Sequence, residues 1–91
     1  MITWEDYQKH AKNKNKMIKD DMELMEELAN IISVIILRRN ECGYSQRELA
    51  EMVGLPHSSV ARIETGRVSP NIDTVLKLIK PLGLKLTITA I

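Results

Sequence analysis

The sequence predicts an all-α fold of about five helices, closed by one β-strand at its C-terminal end. Helical apolar spacing recurs along most of the chain, with capping residues between the helical stretches, whereas residues 84–89 near the C-terminal end alternate apolar and polar side chains. Apolar residues make up 44% of the chain and aromatic residues only 3%. We therefore expect one domain with a modest aliphatic core, which 91 residues can enclose.

Residues 1–20 are predicted to form an N-terminal helical extension followed by a connector. Thr3 can cap a first helix, because acidic residues follow it in the first turn, where the helix dipole favours them. That helix should fade in "KNKNK", residues 12–16, which has the composition of a solvated connector. Residues 21–91 then form the main domain.

The main domain is predicted to begin with a long helix in "DDMELMEELANIISVIILRRNECG". The acidic start, Arg38 and Arg39 near the end, and Gly43 just beyond them match the dipole and capping rules for a single helix. Val34 and Leu37 lie outside its main apolar stripe. We therefore expect this helix to contact a partner chain as well as its own domain.

A capping box and a glycine predict a tight corner in the middle of the chain. Ser45 and Glu48 have the S-x-x-E spacing that fixes a helix start, and Gly54 ends that helix in the left-handed conformation. Pro56 suits the first position of a second helix. Two short helices joined by a short turn with a glycine predict a helix-turn-helix unit over residues 45–66.

The second helix of this unit would bury Val60 and Ile63 and turn its other face to solvent. Its outward residues are mostly short and polar: His57, Ser58, Ser59, Ala61 and Arg62. Such a face can enter a DNA major groove, where an arginine can donate two hydrogen bonds to a guanine edge. The start of the preceding helix would offer Gln46 and Arg47 to a phosphate.

The C-terminal third is predicted to contain one more helix and the strand. Asn71 caps the helix, which carries Ile72, Val75, Leu78 and Ile79, and Pro81 ends it because proline lacks a backbone donor. Residues 84–91, "LKLTITAI", have the period of two that is typical of a strand. A strand needs a partner, which here would be a second copy of the chain or a sheet in a different protein.

Residues 31–86 resemble the lambda-repressor-like, Xre-type helix-turn-helix family. The segments that carry the resemblance are "RRNECGYSQRELAEMVGL", "SSVARIETGR" and "SPNIDTVLKLIKPLG". The resemblance implies that the recognition helix reads bases, that the loop 67–71 clasps the DNA backbone, and that Arg39 and Glu64 form a structural pair. With the residues above, the predicted DNA contacts are Gln46, Arg47, His57, Ser58, Ser59, Arg62, Arg67, Ser69, Asn71 and Arg38.

The N-terminal "TWEDYQKHAK", the acidic "MELMEEL" and the closing "LGLKLTITAI" further resemble HigA-type antitoxins. This resemblance implies a homodimer that binds a palindromic DNA operator, represses its own operon and neutralises a RelE/HigB-like mRNA endonuclease. Toxin contacts are then predicted at Trp4, Tyr7, Met22, Leu24, Met25 and Leu28. The chain departs from the family at Pro56, where a polar cap is common, and at Pro81, where alanine is common.

Other functions stay open on the sequence alone. The chain would also suit a stand-alone Xre-type repressor of a phage or housekeeping kind, with no toxin. Alternatively, toxin neutralisation is the main activity and DNA binding is weak or needs the toxin. The net charge of +1 does not distinguish between these functions. The charge is unevenly distributed, since residues 1–30 carry five Lys against seven Asp or Glu, whereas residues 31–91 carry eight Lys or Arg against five Asp or Glu.

The motifs argue against an enzyme, a metal site and a membrane span. The sequence contains no glycine-rich phosphate loop and no coherent acid–base pair, and Cys42 has no evident catalytic base. His10 and His57 are too few and too widely separated for a metal site. The apolar run "NIISVIILRR" is shorter than the roughly 20 residues of a span. We therefore expect a cytoplasmic binding protein without a cofactor or a small-molecule substrate.

Overall fold

The computed structural model describes the backbone of residues 14–91 and the side chains of residues 19–91. The described chain contains four helices: α1 (Lys14–Cys42), α2 (Gln46–Met52), α3 (Ser59–Glu64) and α4 (Ile72–Ile79). The first predicted helix, which would begin at Thr3 and carry Trp4 and Tyr7, lies outside the described residues. None of the helices that the structure describes has the length and apolar character of a membrane span.

The chain divides into two compact units, residues 1–30 and 31–91. In the first unit α1 begins at Lys14, so the predicted connector at residues 12–16 is wrong from Lys14 onward. A run of Lys and Asn without Gly or Pro does not end a helix. Each of these residues lowers helix stability by only about a few tenths of a kcal/mol relative to better helix formers. This part of α1 exposes Met22, Leu24 and Met25, at 60%, 63% and 70% of their full accessibility.

The second unit has an aliphatic core to which all four helices contribute. Its buried apolar residues are Ile35, Leu49, Ala50, Val60, Ile63, Val75, Leu78, Ile79 and Leu82. Each fully buried Leu or Ile stabilises the fold by about 1.5–3 kcal/mol relative to an exposed one. Val34 and Leu37 of α1 remain 50% and 61% exposed, as the sequence predicts for residues outside the main stripe.

Side-chain caps fix the helix starts in this unit. The Ser45 hydroxyl accepts a hydrogen bond from the Glu48 amide at 2.9 Å, and the Ser45 amide donates to the Glu48 carboxylate at 3.0 Å. Asn71 likewise accepts from the Thr74 amide at 2.9 Å. The predicted capping box and the predicted asparagine cap are therefore confirmed.

The predicted C-terminal strand is wrong, since residues 84–91 form no strand. Leu84 and Leu86 are half-buried against the core, whereas Ile88 is 92% exposed. Within the described residues no strand lies beside this segment, so its alternating side chains have no ladder of hydrogen bonds to join. The helix before it, α4, ends at Ile79, ahead of Pro81 as predicted.

Candidate nucleic-acid interface

The corner between α2 and α3 brings these two short helices into close contact. Leu49 and Ala50 are fully buried, and the Leu55 amide donates to the Ala50 carbonyl at 2.9 Å across the corner. Gly54 has a φ of 72°, and a β-carbon built on it would meet no atom within 4 Å. Glycine is therefore required here for the backbone conformation and not for space.

The recognition helix, α3, begins later than the sequence predicts. A turn in which the Ser59 amide donates to the Pro56 carbonyl at 3.0 Å precedes it, and the first i to i+4 bond runs from the Arg62 amide to the Ser58 carbonyl at 3.1 Å. Pro56 is therefore part of the turn and not the first helical residue. His57 and Ser58 consequently lie before α3, and Ser58 caps it without a side-chain hydrogen bond.

The outward face of α3 is a narrow row of polar residues. Within α3, Val60 and Ile63 are buried, Ser59 and Ala61 are half-buried, and Arg62 is exposed. The two cap residues, Ser58 and Thr65, are exposed as well. These three have the i, i+4, i+7 spacing of one helical face. The sequence prediction missed Thr65, although its position seven residues after Ser58 gives the signal.

The Thr65 side chain is oriented by the helix that precedes it. Its hydroxyl donates to the Ala61 carbonyl at 2.8 Å, and a second, longer contact joins it to the Arg62 carbonyl at 3.3 Å. The hydroxyl proton is therefore used, while the methyl group and an acceptor lone pair remain for a ligand. A threonine methyl in this position can contact the methyl group of a thymine.

A buried ion pair holds the C-terminal end of α3. The Arg39 guanidinium donates to both Glu64 carboxylate oxygens, at 2.7 Å from Nε and 2.9 Å from Nη2, and its third nitrogen donates to the Tyr44 carbonyl at 2.8 Å. The side chains of Arg39 and Glu64 are only 10% and 6% exposed. The hydrogen bonds from Arg39 to Glu64 raise the pKa of Arg39 above its ordinary value, so the guanidinium stays charged.

Gln46 forms a hydrogen bond to this pair. Its side-chain amide donates to the Glu64 carboxylate at 3.0 Å, and the residue is half-buried. The network thus ties the end of α1, the start of α2 and the end of α3 to one carboxylate. The predicted structural role of Arg39 and Glu64 fits this geometry, and Gln46 acts with them.

Arg38 also has an internal partner. Its Nε donates to the Leu82 carbonyl at 2.8 Å, and a terminal nitrogen lies 3.2 Å from the Glu41 carboxylate. The first bond ties α1 to the turn after α4. The predicted phosphate contact at Arg38 would have to form with the part of the guanidinium that these bonds leave exposed.

The other predicted phosphate contacts have accessible side chains. Arg47 is 71% exposed and lies 3.7 Å from Glu51, whose carboxylate also lies 3.0 Å from the His57 ring. Exposed contacts of this kind contribute roughly 0–1 kcal/mol, so they leave the Arg47 guanidinium available to an anionic partner. Arg67 and Ser69 are exposed in the loop after α3.

A cleft of about 240 Å³ separates α3 from the loop that follows it. Its lining mixes polar and apolar residues: Leu55, Ser59, Arg62, Ile63, Val68, Ser69, Pro70, Asn71 and Thr74. The cleft brings together Ser59, Arg62, Ser69 and Asn71, all predicted DNA contacts. Neutral donors beside an arginine suit the oxygen atoms of a phosphodiester.

Metal ligands are not clustered in the part of the chain that the structure describes. The helix-turn-helix family HTH_3 matches residues 35–88. No solved structure matches the chain.

Two bacterial relatives resemble the chain in sequence. An uncharacterized HTH-type transcriptional regulator of Haemophilus influenzae is 29% identical over 85 residues, which cover 93% of this chain and 82% of the relative. The HTH-type transcriptional regulator PuuR of Escherichia coli is 49% identical over 49 residues, which cover 54% of this chain but only 26% of PuuR. Because the family match covers more than half of the chain, the chain belongs to the helix-turn-helix family HTH_3 and is a DNA-binding protein of that family.

Proposed function

We propose that the chain is a transcriptional regulator that represses its own operon as a homodimer and serves as the antitoxin of a RelE/HigB-like mRNA endonuclease. The observation that carries the DNA-binding part is the outward face of α3, where Ser58, Arg62 and Thr65 project from a helix fixed at its end by Glu64. The chain acts in the cytoplasm by binding, without catalysis and without a cofactor.

The proposed operator is a palindrome read by two copies of α3. A twofold axis relates the two subunits of most homodimers, and two recognition helices about 34 Å apart would enter successive major grooves. Arg62 would donate to a guanine edge, and Arg67 would contact a phosphate of the same half-site. The similarity to two proteins named as transcriptional regulators supports this role.

The antitoxin part rests on the first half of α1. Met22, Leu24 and Met25 are 60–70% exposed on a helix segment that also carries five acidic residues between positions 20 and 27. Exposed apolar side chains flanked by charge are typical of residues that dock into a partner. An enzyme that binds mRNA needs a basic surface, which an acidic amphipathic helix complements.

Co-expression with the toxin tests the two parts separately. We expect Arg62→Ala to lose operator binding but still to restore growth when the toxin is induced. The full-length triple variant Met22→Ser, Leu24→Ser, Met25→Ser should fail to restore growth, whereas Ile88→Ser, which also removes an exposed apolar side chain, should restore it. Growth at the wild-type level with the triple variant would exclude this segment from toxin binding.

A second candidate function is a stand-alone repressor without a toxin. It is supported by the names of both relatives, which describe transcriptional regulators, PuuR with 49% identity over 49 residues. The neighbouring reading frame decides between the two. If its product does not arrest growth on induction, the stand-alone regulator is the better description.

A further inference from the structure

An open groove of about 370 Å³ lies where the end of α2 meets the end of α4. It is lined by Met52, Val53, Lys77, Lys80 and Pro81. Met52 is 50% exposed and both lysines are exposed. Among the described residues neither lysine forms an ion pair.

This groove shares no residue with the DNA-binding face or with the cleft beside it. The face uses α3 and the loop after it, whereas the groove uses the last turns of α2 and α4. DNA binding therefore does not explain a groove that combines apolar side chains with two lysines. An acidic ligand with apolar side chains would satisfy both features.

The chain itself contains a segment with that chemistry. Residues 20–28, "DDMELMEEL", carry five acidic residues and no basic one, and Met22, Leu24 and Met25 are largely exposed. With 3.6 residues per turn, Met22, Leu24 and Met25 share one side of α1. Glu26 and Glu27 flank that side on its two edges, while Glu23 points away from it.

We propose that the acidic segment, residues 20–28, of one copy docks in the groove of a second copy, and that the reverse contact forms at the same time. The exposed Met and Leu side chains would contact Met52 and Val53 in the groove. Glu26 and Glu27 would pair with Lys77 and Lys80. The interface is isologous, because each subunit contributes one segment and one groove.

The size of the groove favours this reciprocal arrangement. A stable interface buries roughly 800 Å² on each partner, more than a groove lined by five residues supplies. Two grooves and two segments double the buried area without any new surface. A dimer with both contacts formed also removes the exposed apolar side chains of both segments from water.

Charge reversal in the full-length chain tests the proposal by sedimentation equilibrium. We expect Lys77→Glu with Lys80→Glu to weaken dimerisation at least about tenfold, because like charges would then face each other across the interface. Glu26→Lys with Glu27→Lys should do the same. Glu23→Lys and Lys85→Glu are the matched controls, since both reverse an exposed charge outside the contact, and they should leave the dimerisation constant unchanged.

Mixing the two double variants gives the sharpest result. In such a heterodimer one contact joins a native groove to a native segment, and the other joins the acidic variant groove to the basic variant segment. Both contacts are then attractive, so the mixture should form heterodimers although neither variant dimerises alone. One chain that carries all four reversals should dimerise as the wild type does, which also shows that the substitutions leave the fold intact. A mixture that stays monomeric would overturn the proposal, and so would a wild-type dimer unaffected by Lys77→Glu with Lys80→Glu.

This inference rests on the proposed homodimer, and its failure differs from failure of the proposed function. The second copy and the toxin would use the same acidic segment and would therefore compete for it. The groove variant leaves this segment unchanged and uncovered, so it should still restore growth against the toxin. If it loses toxin binding while the wild-type chain is monomeric, the toxin and not a second copy occupies the groove, and the inference is wrong. A dimer formed through another surface would likewise contradict the inference while leaving operator repression intact.

Discussion

Arg39 and Glu64 form a bidentate ion pair that joins the end of α1 to the end of α3, with nitrogen–oxygen distances of 2.7 and 2.9 Å. The pair is almost completely buried, and the Tyr44 carbonyl and the Gln46 amide satisfy further hydrogen-bonding capacity of the two groups. Because Glu64 is the last residue of the recognition helix, this pair fixes the helix against the domain. The orientation of Arg62, two residues earlier, depends on it.

Glu64→Gln should destabilise the domain strongly. The substitution leaves the Arg39 charge buried without a counter-charge, and breaking a buried pair in this way typically costs about 3–5 kcal/mol. Equilibrium unfolding in urea measures the loss. Glu51→Gln removes a carboxylate from an exposed pair and should cost less than about 1 kcal/mol. Equal losses of stability for the two variants would show that burial does not determine how much the Arg39–Glu64 pair stabilises the domain.

The contribution of Arg39 to the free energy of unfolding should not vary with pH in the neutral range. The hydrogen bonds to Glu64 raise its pKa, so its contribution is complete below the ordinary arginine pKa and is lost only as the pH rises through the higher folded value. The difference in unfolding free energy between wild type and Arg39→Gln should therefore be constant from about pH 6 to pH 9. A difference that shrinks across this range would contradict the assignment.

Gly54→Ala should destabilise the domain by about 1–2 kcal/mol, the cost of a left-handed conformation for a residue with a β-carbon. No steric cost adds to it, because the new β-carbon would meet nothing within 4 Å. Gly54→Asn should cost less, since asparagine tolerates this conformation. Thermal unfolding of the two variants makes the comparison, and a much larger loss for alanine would indicate a clash.

The helix-turn-helix unit could be predicted in detail because its signals are local. Ser45 and Glu48 together cap one helix, and Asn71 caps another, in each case within four residues. The positive φ at Gly54 is indicated by the residue type itself. The Arg39–Glu64 pair spans 25 residues, and only the family resemblance indicated it.

The sequence predictions are wrong where the local structure depends on residues that are distant in sequence or on the geometry of a turn. Residues 84–91 alternate like a strand, but a strand also needs a partner, and the described chain offers none. The start of α3 depends on the turn that begins at Pro56, which closes with an i to i+3 bond that capping rules do not distinguish from a helical turn. Neither the contact between Glu51 and His57 nor that between Arg38 and Leu82 has a local signal in the sequence.

Arg67→Ala should weaken binding to all DNA sequences alike. Each phosphate contact contributes about 0.9 to the slope of log affinity against log salt, so the slope should fall by about one unit. A titration over a series of salt concentrations, with operator and with unrelated DNA, measures it. Lys85→Ala removes an exposed charge outside the DNA-binding face and should leave the slope unchanged. An unaltered slope for Arg67→Ala would mean that this side chain does not contact phosphate.

The central claim is that Arg62 reads a base from the outward face of α3, and a mobility-shift series over operator variants tests it most directly. We expect Arg62→Ala to weaken specific binding by about 1–3 kcal/mol and to lose the preference at one base pair of each half-site. Arg62→Lys keeps the charge but not the paired donors, so it should lose that preference while retaining affinity for unrelated DNA. If both variants rank the operator variants as the wild type does, Arg62 does not read a base and the account is wrong.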